Sequence, residues 1–186
     1  MQVVSGRIDQ PTVHFEAPPR AGLEVQLADF LAWFESSRSD ASLDLFLRAG
    51  IAHFWFVTLH PFDDGNGRLT RAITDLALAQ GEQQAIRFYA MSASILDDRA
   101  GYYRILEASQ KGTLDITAWL QWFLATLLNS LEQALARIDR VLSRRASGRH
   151  TAVKPYRRSK SKYLTACSMA ANGVLRTVSA RRNTRP

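Results

Sequence analysis

The chain has 186 residues, 46% of them apolar and 10% aromatic, which suits one domain with a buried core. Its net charge of +7 is unevenly placed: all 17 acidic residues lie between Asp9 and Asp139, while twelve of the 24 basic ones lie from Arg144 onward. The body is therefore acidic, so its charge does not mark it as a nucleic-acid binder, and no run approaches the roughly 20 apolar residues of a membrane span.

In chain order, Val3-Val4 and Val13 to Phe15 supply β-formers around a polar turn and predict a hairpin over about 2–16, ended by Pro18-Pro19. Leu23, Leu27, Phe30, Leu31 and Phe34 fall at helical spacing. A polar link follows, with Asp40 or Ser42 offered as the N-cap of a helix over 43–59 whose last part is apolar on most sides. Gly65 and Gly67 interrupt the periodicity. Leu69, Ile73, Leu76 and Ala77 then carry a helix over 68–79, with Gly81 closing it. Shorter helices are predicted near 92–98 and 100–110, and Asp115 is placed to cap a long helix reaching Leu142. Trp33, Trp55, Trp119 and Trp122 recur at helical spacing and are assigned to the core. The body, residues 1–142, is thus read as all-α with one N-terminal hairpin.

Residues 143–186 are basic and free of acids, with little periodicity. That composition predicts a poorly ordered, solvated tail, a nucleic-acid-binding arm being the competing reading. The N-terminus lacks the basic start and apolar stretch of a signal peptide. The lone Cys167 excludes an internal disulfide, has no partners for a zinc site and is assigned no role. A reducing, cytoplasmic setting is expected, with no membrane partner.

The chemistry concentrates in "LHPFDDGNGRLTRAI", Leu59 to Ile73. Gly65-Asn66-Gly67 running straight into a helix is a backbone arrangement for an anion, with N–H groups converging at the positive end of the helix dipole. Arg68 opens that helix and Arg71 follows three residues on, near the same face. Asp64 offers a carboxylate suited to Mg²⁺, which takes few protein ligands alongside phosphate oxygens and water. His60 has an unperturbed pKa near neutrality and is placed to accept a proton. Phe62 is expected to anchor the loop to the core. Asp63 is read as a solvated carboxylate, His53 as a packed core histidine, and His14 as a strand residue.

This run resembles the Fic family, whose pattern is His-x-Phe-x-Asp/Glu-Gly-Asn-Gly/Lys-Arg-x-x-Arg. His60 through Arg71 meets all eight specified positions. At residue usages of roughly a twentieth each, chance agreement is far below one in a million. The resemblance runs from about Gln2 to about Leu142, the hairpin matching the family's flap and Tyr102-Tyr103 and "DITAWLQWFL" its closing helices. It implies the Fic fold, a compact helical bundle with a small hairpin flap that aligns a target segment. It also implies transfer of AMP from ATP to a Ser, Thr or Tyr hydroxyl of a target protein, with release of pyrophosphate.

On that resemblance His60 is the general base and Asp64 holds Mg²⁺ between the α- and β-phosphates. Gly65, Asn66 and Gly67 form the anion hole, with the Asn66 side chain on the phosphates. Arg68 binds the β/γ region, and Arg71 reaches the γ-phosphate or pairs with an inhibitory glutamate. Tyr102 and Tyr103 either cover the adenine or simply pack. A lysine in place of Gly67 would mark relatives resembling the Doc toxin, which phosphorylate; Gly67 matches the nucleotidyl-transferring form. The family's inhibitory signature, Ser/Thr-x-x-x-Glu-Gly/Asn, has no match in this chain. Arg71 is therefore expected to be unpaired, the chain being a truncated form, inhibited by a separate protein, or constitutively active. The alternatives are a Fic domain that removes AMP or only binds nucleotide, and a nucleic-acid-binding regulator built on the tail, although nucleic acid is not the expected partner.

Overall fold

The computed structural model describes residues 2–7, 10–83 and 89–148. Strands β1 (Gln2–Arg7) and β2 (Gln10–Glu16) pair antiparallel, Gln2 opposite Glu16 and Arg7 opposite Gln10, with a register shift between Val3 and Val4. Six helices follow: α1 (Leu23–Ser36), α2 (Leu45–Leu59), α3 (Asn66–Glu82), α4 (Met91–Asp97), α5 (Arg99–Gln110) and α6 (Thr117–Gly148). This helical body is consistent with the Fic fold. Cys167 and nearly all of the basic tail, together with its expected disorder, lie outside the described residues.

Helix α2 forms the axis of the body. It packs against α1, α3 and α6, and its burial on most sides follows from its near-continuous apolar sequence. Trp119 of α6 is fully buried and donates its indole N–H to the Gly50 carbonyl at 2.9 Å, satisfying the one polar atom of the largest core side chain. Trp33, Trp55 and Trp122 pack partly buried around that core. The α2 N-terminus is capped by Asp44, whose Oδ1 accepts from the N–H groups of Phe46 and Leu47, and not by Asp40 or Ser42. Asp40 is spent instead on a local turn, accepting from the Ser42 N–H and hydroxyl.

Arg48 was silent in the sequence yet is a buried tie. Its guanidinium donates to the Ser37 hydroxyl, the Phe34 carbonyl and the Gln80 side chain, joining the end of α1 to α2 and α3. Close by, Gly81 lies inside α3 and does not end it; the helix runs to Glu82 and closes on Gln83, which adopts φ 53°. A Cβ on Gly81 would stand 2.7 Å from Leu45 Cβ, so this glycine permits close approach of α3 to α2.

The buried face of α3 also differs from the one its leucines predict. Leu69 and Leu76 are 41% and 49% exposed, while Thr70, Thr74, Ala77 and Leu78 face the core. The two threonines can be buried because each hydroxyl donates to the carbonyl four residues back, Thr70 to Asn66 and Thr74 to Thr70, both at 2.8 Å. They pack against α2 as small side chains with their polar atoms already satisfied. At the other end of the chain, α6 continues six residues past the expected Leu142 to Gly148, because Ser143, Arg144, Arg145, Ala146 and Ser147 contain no breaker.

Candidate active site

The run from His60 to Arg71 sits where α2 ends and α3 begins. His60 is the C-cap of α2 in the left-handed region, φ 45° and ψ 56°, and its N–H closes the last turn on the Phe56 carbonyl. A histidine held there marks a turn fixed by its surroundings. The imidazole is partly buried, and its Nδ1 atom is buried with no hydrogen-bond partner. Burial lowers its pKa from the usual 6.5; the Val57 carbonyl partly offsets this without closing a hydrogen bond to Nδ1. The ring is therefore neutral at physiological pH, with unmet hydrogen-bonding capacity.

After His60 the loop is clamped by Asn66. Its carboxamide oxygen accepts the Phe62 N–H at 3.0 Å and its nitrogen donates to the Phe62 carbonyl at 2.5 Å, while the residue itself is buried. In this structure the side chain grips the loop backbone, and its expected placement on phosphates is a separate matter of the bound state. Phe62 is also not the apolar anchor, since it is 45% exposed. The polar clamp at Phe62's backbone frees its ring from that duty.

Gly65, at φ 83°, is the N-cap of α3, a conformation that favours glycine. No side chain caps the helix. The first bond of the ladder runs from the Leu69 N–H to the Gly65 carbonyl, which leaves the N–H groups of Asn66, Gly67 and Arg68 outside it. These amides, at the positive end of a 17-residue helix, can receive an anion. Beside them Arg68 pairs with Asp64 at 2.9 Å, and Asp64 Oδ1 also accepts the Gly65 N–H. Their side chains are 73% and 91% exposed, so the ion pair is weak and readily exchanged for ligand contacts. Asp64 thus offers one hard, solvent-facing carboxylate, which fits Mg²⁺ binding shared with phosphate oxygens and water. No cluster of three or more acidic, histidine or cysteine side chains exists among the described residues to form an all-protein cage.

Two adjoining cavities meet at His60, Gly67 and Arg71. A polar one of about 280 Å³ is lined by those residues and by Asp63 to Asn66 and Arg68. The other, about 140 Å³, continues past Val57 to Phe15 of the hairpin, Tyr102, Tyr103 and the Leu106 turn of α5. All predicted site residues therefore line one of two connected hollows. Among the described residues Arg71 forms no ion pair with a carboxylate, and its charge contributes to lowering the His53 pKa. Tyr102 and Tyr103 part company. Tyr103 is exposed, with the Arg99 guanidinium over its ring, whereas Tyr102 is buried and turns its hydroxyl back toward His53 Nε2 at 3.2 Å. The network behind Tyr102 escaped the sequence reading, although paired threonines four residues apart on an amphipathic helix were its visible trace.

A hairpin beside a helical bundle, with an open helix start between a buried helix and two arginines, is consistent with a domain of the Fic type. Residues 2–78 match the model of the Fic/DOC family, and the chain carries a Fic/DOC family domain distantly homologous to protein adenylyltransferases. It is 34% identical over 89 residues to "Protein adenylyltransferase fic-1" of Caenorhabditis briggsae, covering 48% of this chain and 16% of that protein. It is 33% identical over 89 residues to the Caenorhabditis elegans protein of the same name, with the same coverages. "Protein adenylyltransferase Fic" of Drosophila virilis is 29% identical over 123 residues, covering 61% of this chain and 25% of that protein. The chain thus spans a quarter or less of the length of these relatives. No helix among the described residues is long and apolar enough to cross a membrane.

Proposed function

We propose that this chain is a Mg²⁺-dependent protein adenylyltransferase that moves AMP from ATP to a Ser, Thr or Tyr hydroxyl of a target protein. The observation that carries this reading is the convergence of His60, the open α3 amides and Arg71 on two joined cavities. The polar cavity takes the triphosphate: the Asn66, Gly67 and Arg68 N–H groups bind its oxygens, and Arg68 and Arg71 neutralise the β- and γ-phosphates. The aromatic cavity takes the nucleoside against Tyr102 and Tyr103. Asp64 would hold Mg²⁺ together with phosphate oxygens, and the ion would supply charge neutralisation on the departing pyrophosphate.

His60 takes the proton from the target hydroxyl as its oxygen bonds to the α-phosphorus. The bond from that phosphorus to the β-bridging oxygen breaks, and pyrophosphate leaves. A neutral imidazole is required, which the burial of His60 provides at physiological pH. Phe15 places the hairpin at the mouth of this cavity, where it can align the incoming target segment.

The decisive experiment incubates the protein with ATP labelled on the α-phosphate, Mg²⁺ and a cell lysate, beside His60→Ala. Label transferred to protein by the wild type alone supports the reading. Equal labelling defeats the assigned role of His60, and no labelling despite ATP binding defeats the reading in favour of a binding or AMP-removing role.

A further inference from the structure

Behind the aromatic cavity runs a chain of hydrogen bonds with a fixed direction. The Thr74 hydroxyl gives its one proton to the Thr70 carbonyl, so toward His53 Nδ1, 2.9 Å away, it can only accept. His53 therefore carries its proton on Nδ1 and presents a lone pair at Nε2, where the Tyr102 hydroxyl donates. The next link continues to the nest, since the Thr70 hydroxyl donates to the carbonyl of Asn66. His53 is fully enclosed, with Trp119 at 5.1 Å and Phe123 at 6.0 Å between ring centroids, and burial, aided by Arg71, holds its pKa down to about 3. Its tautomer is thus locked and uncharged.

From this geometry we infer that His53 is a positioning residue for the nucleotide: it fixes the Tyr102 ring in the cavity wall and, through Thr74 and Thr70, ties that wall to the start of the phosphate nest. The inference rests on the reading that these cavities bind ATP. Because the Tyr102 hydroxyl is committed inward, the cavity receives its ring and not its proton donor. A base can then meet the ring by stacking, a contact that depends on ring orientation. His53 touches no reacting atom, so its loss weakens binding without altering the chemical step at His60.

The test is calorimetric titration of the full chain with Mg·ATP, paired with transfer kinetics. In His53→Asn the side-chain amide can replace the Nδ1 donor to Thr74 but not the Nε2 acceptor. In His53→Gln the amide oxygen can reach the Tyr102 hydroxyl. His53→Asn is expected to bind ATP roughly tenfold more weakly, with KM for ATP raised and kcat retained, while His53→Gln recovers most of the affinity. Tyr102→Phe is expected to bind as weakly as His53→Asn, and the double variant no more weakly than either.

Equal affinity in the Asn and Gln variants, or a fall in melting temperature with an unchanged Kd, overturns the inference alone. A wild type that does not bind ATP overturns it together with the proposed function. Should the variants not fold, ¹⁵N spectra of the wild type decide: an Nδ1–H tautomer persisting to about pH 5 agrees, and an Nε2–H tautomer refutes.

Discussion

Two histidines, one within α2 and one at its C-cap seven residues on, meet opposite fates. His53 is sealed among Trp119, Phe123 and Tyr102 with both nitrogens bonded; His60 caps the helix in a left-handed turn with one buried nitrogen unbonded. Burial lowers both pKa values, yet only His60 faces a cavity with capacity left over. A depressed pKa alone therefore does not mark a base. What separates a reactive group from a rigid strut is whether its hydrogen bonds are already spent.

The largest test of this contrast is His60→Ala, expected to lower transfer roughly 10²- to 10⁴-fold with ATP binding retained. In the wild type, activity should rise with pH as His60 loses its proton. Because the free-enzyme pKa lies below 6.5, the acid limb of kcat/KM should also fall below that pH. A limb at or above 6.5 would show that another group, or a different environment, controls the step.

The second test moves to His53. Its folded pKa of about 3 lies below the usual 6.5, so between those values the unfolded chain takes up a proton that the folded chain refuses. Full stability is present above pH 6.5 and is lost on acidification at up to about 1.4 kcal/mol per pH unit. Urea unfolding at several pH values should show His53→Asn with a shallower acid slope than the wild type. Identical slopes would mean that His53 is protonated in the native state.

How much of this was legible in the sequence follows from the same distinction. The loop announced itself because polar, charged and glycine residues interrupted two apolar helices, and no core would accept them. Side-chain destinations were another matter. A motif fixes that Asn66 opens the helix, but not that its carboxamide turns back onto Phe62. Leucines at helical spacing suggested the inner face of α3, whereas Thr70 and Thr74, satisfied by their own helix, take that face against α2. Gly81 read as a stop because sequence cannot show Leu45 approaching it. Asp44 prevailed over Asp40 because the latter already held Ser42.

Asn66 belongs to both regions, a buried clamp at the edge of the open nest, and so gives an intermediate test. Asn66→Ala strips the Phe62 N–H and carbonyl of their partner and should cost about 1–3 kcal/mol in denaturant unfolding. ATP affinity should fall with it, since the loop carrying the nest is no longer held. Stability lost with affinity intact would separate the clamp from the site.

The smallest effect on stability belongs to the rim. Asp64 and Arg68 pair in solvent, where an ion pair contributes little, so Asp64→Ala should leave unfolding within ~0.5 kcal/mol of the wild type. Mg²⁺-dependent transfer should nevertheless collapse, because the carboxylate that faces water is the one available to a hydrated cation. The contrast runs opposite to that expected of His53, whose variants tax stability and binding while sparing the chemical step. If Asp64→Ala instead destabilised the fold and kept its Mg²⁺ dependence, the Arg68 pair would be part of the scaffold, and the division into spent interior and open rim would fail at its outermost residue.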